Sequence, residues 1–107
     1  MPDRATLLEW TPFRAAPGVS DTHLLAAADR LTREFLAPLP GYVRRFLLRQ
    51  DDGSYVDCIA WRSAKDHAVA METAMTHPAA QDFFACLEDP EAAGAAMRHF
   101  TIAADWT

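Results

Sequence analysis

The sequence predicts an α+β fold in which helices cover one face of a four-stranded antiparallel sheet. Two observations carry that prediction. Tyr42 to Gln50 and Ser54 to Arg62 are β-rich runs joined through Asp51-Asp52-Gly53, and an Asp-Gly pair between two such runs is a strong hairpin signal, so the strands pair antiparallel. At Ser63 the hydrophobic period changes. Before it, Asp57, Ile59 and Trp61 alternate on one face and Val56, Cys58 and Ala60 on the other; after it, Ala64, Ala68, Met71 and Met75 recur at helical spacing with His67 on the same stripe. Ser63 followed by Asp66 reads as the capping pair that starts this helix.

The other elements follow in chain order. Thr6 to Phe13 reads as a strand with Pro12 at its end or at a bulge, because proline has no amide hydrogen to give to a sheet. Pro17-Gly18 turns the chain. Ser20 caps a helix whose apolar positions Leu24, Ala28, Leu31 and Phe35 lie on one side, with Asp21 suited to the positive end of the helix dipole. Pro38-Leu39-Pro40-Gly41 ends it. The helix begun at Ser63 runs to about Met75, and Pro78 restarts a shorter one carrying Ala80, Phe83, Phe84 and Leu87, which Asp89-Pro90 stops. Met97 to Ala103 alternates again as the closing strand.

With 107 residues, 50% of them hydrophobic and 23% charged, the chain is of one-domain size, spanning 1–107, and can bury a core. A net charge of -5 argues against nucleic-acid or anionic-membrane surfaces, which need clustered Lys and Arg. Arg44, Arg45 and Arg49 do cluster, but on one strand, where alternation splits them between faces. Cys58 and Cys86 lack metal or redox spacing and read as buried thiols. The chain shows no charged-then-apolar leader and no apolar run near the roughly 20 residues of a bilayer span, so the expectation is a cytoplasmic protein.

Strand, helix, strand, strand, helix pair, strand is the order of a ferredoxin-like βαββαβ domain. Helices cover one sheet face. The other also carries large apolar groups: Leu7 and Phe13 oppose Leu8 and Trp10, and Val43 and Leu47 oppose Phe46 and Leu48. A second copy of the chain is the economical cover, so a homodimer is expected.

Three motifs add a resemblance. Pro17-Gly18-Val19-Ser20 before the first helix, Leu39-Pro40-Gly41-Tyr42 opening the second strand and Ile59-Ala60-Trp61-Arg62-Ser63 ending the third resemble the dimeric α/β-barrel superfamily, in its antibiotic biosynthesis monooxygenase-like branch. The resemblance covers nearly the whole chain. It implies a barrel formed across a dimer and a pocket in each subunit between sheet and helices. There, cofactor-independent oxygenases bind a phenolic or dihydroxyaromatic molecule and let it react with oxygen. Such oxygenases present a polar residue four positions before the strand-ending Trp, and this chain has Asp57 there. The resemblance therefore implies Asp57 as base, Trp61 as stacking wall, His67 as a second proton-transfer group and Gln81 as a hydrogen bond at the mouth.

Other readings stand beside these. Trp61 also suits a core anchor, Asp57 a carboxylate paired with Arg44, Arg45 or Arg62, and His67 a packed histidine. No His and carboxylate spacing suits a metal, and with four Gly there is no phosphate loop, so no cofactor is expected. Haem degradation is also not expected: the Asn, Trp and His that the haem-degrading branch uses fall at Thr11, Ala70 and Phe84. The function that follows is a cofactor-free monooxygenase-like protein for a small aromatic or phenolic molecule. The alternative is a non-catalytic, stress-responsive or small-ligand-binding homodimer.

Overall fold

The computed structural model describes residues 4–106. Its elements are β1 (Leu7–Phe13), α1 (Asp21–Leu31), a π turn (Thr32–Leu36), β2 (Tyr42–Arg49), β3 (Tyr55–Trp61), α2 (Ala64–Ala74), α3 (Pro78–Ala85), α4 (Pro90–Ala96) and β4 (Arg98–Thr101). The strands lie in the order β2-β3-β1-β4, each antiparallel to its neighbour. This is the ferredoxin-like order, with the helices on one face. Among the described residues no helix is long and apolar enough to cross a membrane.

Local chemistry explains the boundaries. In the β2 to β3 hairpin, Gly53 N donates to Gln50 O at 3.0 Å, and Gly53 has φ 86°, a left-handed conformation that closes a three-residue loop on a bulge. Ser20 caps α1 by accepting from His23 N at 3.0 Å. Leu24, Ala28 and Leu31 are buried along one side of α1. The π turn then widens the helix, closed by Ala37 N donating to Thr32 O, and the consecutive Phe35 and Leu36 are both buried. Pro12 faces Val56 on β3 beyond the last pair of β1 with β4, Trp10 with Arg98, so its missing donor falls where β4 no longer reaches.

Two expectations about the C-terminal half need correction. Asp89-Pro90 does not stop the helical region: Asp89 accepts from Ala92 N, Pro90 takes the first helical position where no amide donor is needed, and α4 follows. The closing strand is shorter than expected, Arg98–Thr101, and its last pair is Thr101 with Leu7, the first residue of β1. On α2 the buried stripe is His67, Ala70 and Ala74, with Met71 half-buried, whereas Ala64, Ala68 and Met75 face out. The helix starts where the sequence put it, with Ser63 accepting from Asp66 N at 3.2 Å, so only the choice of buried face differs.

Gly41 seats that start. Its carbonyl accepts from Arg62 N at 2.8 Å, and a Cβ on it would collide with the Asp66 side chain. Opposite the helices, Phe46, Leu48 and Phe100 are 45%, 47% and 44% exposed, leaving an apolar outer face with no cover among the described residues. Arg44 stacks over Phe46, and Arg45 on the same strand points inward, so alternation splits the arginines as expected.

Three carboxylates, two of them exposed and Asp66 half-buried, bind the surface together. Asp66 is held below the usual carboxylate range first by Arg62 and then by Ser63, Asp21 first by Arg49 and then by Tyr55, and Asp52 by Ser54 and Arg14. A depressed folded-state pKa adds stability that is present above about pH 4 and is lost as pH falls through the folded value. The melting midpoint should therefore decline as pH drops from about 4 towards 2, and Asp66→Asn should flatten that decline in thermal scans.

Candidate functional site

Inside the sheet, β1 and β3 put polar groups where an all-apolar floor would serve packing alone. Register pairs Thr11 with Asp57 and Glu9 with Ile59, and all four side chains face the helices. Above them lies a cavity of about 300 Å³. Its walls are apolar: Leu31, Phe35 and Leu36 from α1 and the π turn, Met71 and Ala74 from α2, Phe83 and Phe84 from α3. Gly94, Glu91 and Met97, from α4 and the residue after it, complete its lining.

Asp57 is held by Arg45. Arg45 Nε donates to Oδ1 at 2.9 Å and Nη2 to Oδ2 at 2.7 Å, while Nη1 donates to Ala28 O and Thr32 Oγ1 at 2.9 and 3.0 Å. The guanidinium also lies 5.0 Å over the Phe83 ring. Burial pulls the Arg45 pKa down, but the hydrogen bonds and charge of Asp57 outweigh it and the net direction is up. Burial raises Asp57, and Arg45 works against that rise. The pair is an ion pair: the bidentate fork and two further acceptors meet four of the five guanidinium donors. Each Asp57 oxygen keeps a second lone pair beyond the one Arg45 occupies.

A second polar cluster sits beside it. Trp61 Nε1 donates to Glu9 Oε1 at 3.1 Å, and His67 Nε2 lies 2.9 Å from the same oxygen. The histidine approach is not aligned as a hydrogen bond, and Nε2 has no other partner. His99, opposite Glu9 on β4, brings its ring centroid within 4.6 Å of that of His67, edge to face. Thr11 Oγ1 is buried with no partner, although it belongs to the cavity floor. Such an orphaned hydroxyl is costly unless something in the cavity meets it.

Of the four residues singled out from the sequence, Asp57 borders the cavity, but Trp61, His67 and Gln81 are not among its walls. Trp61 is fully buried, packed edge-on against Tyr42 and His67. His67 reaches the site only through Glu9. Gln81 is exposed and braces the junction of α2 and α3 by donating from Nε2 to Met75 O at 3.1 Å. His77 likewise serves the junction, its Nδ1 accepting from Ala79 N at 3.1 Å. Sequence reasoning missed Glu9 as a site residue. Its signal was present: an acid on the inward parity of an otherwise apolar strand.

Comparison with solved structures places the fold. SnoaB, a cofactor-independent oxygenase from Streptomyces nogalater, is 23% identical, with 97% of each chain covered and a TM-score of 0.66. The ActVA-Orf6 monooxygenase of Streptomyces coelicolor, solved with Nanaomycin D, is 14% identical over 96% of this chain and 92% of that one, with a TM-score of 0.64. A dimeric ferredoxin-like protein from an uncultured marine organism is 8% identical over 98% and 94%, with a TM-score of 0.62. No family model and no curated protein matches the sequence. The chain thus shares its ferredoxin-like fold with these proteins. At these identities the likeness establishes the fold.

Removing one member of a buried pair strands the other, so Arg45→Met should destabilise the protein by about 3–5 kcal/mol. Adding Asp57→Leu should restore much of that loss. Urea unfolding of the two single variants and the double variant measures the coupling.

Proposed function

We propose that the protein is a cofactor-independent monooxygenase-like enzyme acting on a small aromatic or phenolic molecule held between sheet and helices. One observation carries the reading: an apolar cavity of about 300 Å³ whose floor is Glu9, Thr11 and Asp57, with the Thr11 hydroxyl awaiting a partner. Flat rings suit the Phe35, Phe83 and Phe84 walls, and a ring hydroxyl suits the floor. Loss of the hydroxyl proton to a floor carboxylate makes the ring electron-rich enough to react with oxygen. Two carboxylates of the floor, Asp57 and Glu9, are placed to take that proton, and each Asp57 oxygen keeps a lone pair beyond the one Arg45 occupies. In this reading Trp61 positions Glu9, His67 exchanges protons with it, and Gln81 steadies Met75 beside the cavity. The oxygenase activity of SnoaB and of ActVA-Orf6 supports the assignment by analogy of fold.

A second reading, binding without turnover, is favoured by the bidentate lock of Arg45 on Asp57. Oxygen uptake decides between them. Purified protein given hydroxyaromatic compounds without added cofactor should consume oxygen under turnover, and Gly94→Phe should suppress it. Gly94 lines the cavity and a Cβ there meets nothing within 4 Å, so the added ring obstructs the site without straining the fold. Tight binding with no oxygen uptake would establish the second reading.

The assembly we propose is a homodimer across the outer sheet face, as the marine ferredoxin-like protein is dimeric. Phe46, Leu48 and Phe100 are the exposed groups it would cover. The interface should bury on the order of 2,000 Å² in total. Light scattering should give twice the chain mass, and Phe46→Asp should give the monomer. A cytoplasmic location suits the two free cysteines, Cys58 and Cys86, whose thiols burial raises and shields from oxidation.

A further inference from the structure

We infer that Glu9, His67 and His99 form a proton relay from the cavity floor to solvent at the edge of the sheet, with Glu9 as the group that takes the ligand's proton. The inference rests on reading the cavity as a site for a hydroxyaromatic molecule. It chooses between two carboxylates. Asp57 has both oxygens engaged by Arg45, and a proton arriving there weakens two charge-assisted hydrogen bonds. Glu9 has no guanidinium bonded to it. Its Oε1 takes the contacts from Trp61 and His67, and its Oε2 makes no hydrogen bond to a described residue, while the side chain borders the cavity. Glu9 is thus the buried carboxylate with an oxygen available to a bound hydroxyl.

The way out follows the side chains. His67 Nε2 stands 2.9 Å from Glu9 Oε1 without an aligned hydrogen bond, near enough to receive a proton and not fixed against releasing it. The His67 ring touches that of His99 at 4.6 Å between centroids, and His99 is exposed on β4. The step balances as a proton transfer alone. The ligand O–H bond breaks and an O–H bond forms on Glu9; that proton passes to His67, then to His99, then to water, and Glu9 returns to carboxylate. The charged and titratable groups facing this path are Asp57 on β3, Arg45 on β2, His67 on α2, His99 on β4 and Glu91 on α4. Imidazole is the side chain suited to handing protons on near neutral pH.

The test uses para-nitrophenol, whose protonated and ionised forms absorb at different wavelengths, at a pH where the free probe is protonated. Wild-type protein should bind it and show the ionised band. Glu9→Gln keeps an oxygen for the Trp61 indole, so it should bind with little change in affinity and slow the appearance of that band about tenfold or more in stopped flow. His99→Asn lies outside the cavity; it should leave the final band unchanged but slow its appearance about tenfold in stopped flow, with added imidazole restoring the rate. A rate of appearance indifferent to Glu9→Gln or to His99→Asn overturns the relay and leaves the cavity reading intact. Absence of any para-nitrophenol binding to wild-type protein removes both. Should Glu9→Gln fail to fold, His99→Asn with imidazole rescue decides alone.

Discussion

The buried ion pair of Arg45 and Asp57 is the constraint around which the inner side of this protein is arranged. A guanidinium almost free of solvent has to find an acceptor for each of its donors, and here it draws them from different parts of the chain. Asp57 comes from β3, the Ala28 carbonyl and Thr32 hydroxyl from the junction of α1 with the π turn, and the Phe83 face from α3. Sheet and helices are therefore held at one separation by directional bonds as well as by apolar packing, which is non-directional. The cavity survives because of this. A purely greasy interface between the same layers gains by closing any void, whereas a layer spacing fixed by a charged fork keeps one open.

The same arrangement separates two kinds of polar group on one floor. Asp57 belongs to the scaffold through Arg45, while Glu9 accepts from the Trp61 indole and has the His67 imidazole beside it. Between them Thr11 offers a hydroxyl with nothing to bond. Two acids of unlike surroundings within one pocket can hold unlike duties, one fixing geometry and the other handling protons. Trp61, which the motif reading made a substrate wall, contributes at one remove: its fully buried indole fixes the orientation of Glu9.

Much of the fold was legible because it rests on short-range signals. The Asp52-Gly53 turn, the Ser20 cap and the change of period at Ser63 each act within a few residues, and each stands in the structure where the chain placed it. What escaped was context. Asp89-Pro90 serves equally to end a helix or to begin one, and only the packing of Ala93 against the core decides for α4. The α2 stripe was read one position off because alanines carry little information about which side is buried. The cavity was half legible: Asp57, picked out by its place before Trp61, borders it, and its pairing with Arg45 stood among the readings the sequence left open. Glu9 and His99 become neighbours only once β4 lies beside β1, a pairing of residues far apart in the chain that no local pattern records.

Strand β3 carries the consequences of all this in a single register. Its odd-numbered side chains, Asp57, Ile59 and Trp61, face the helices, and its even-numbered ones, Val56, Cys58 and Ala60, line the outer sheet face. Every side chain along it is buried. Point substitutions can therefore drift independently on its two sides, the inner set altering the cavity floor and the outer set the opposite sheet face. Insertions and deletions have no such freedom. One residue gained or lost within the strand exchanges the two sets at a stroke, delivering Asp57 to the outer face and Cys58 to the floor. Length variation among descendants of this sequence should thus accumulate in the exposed Asp51–Gly53 turn and be purged from β3, leaving the strand a fixed ruler against which both faces evolve.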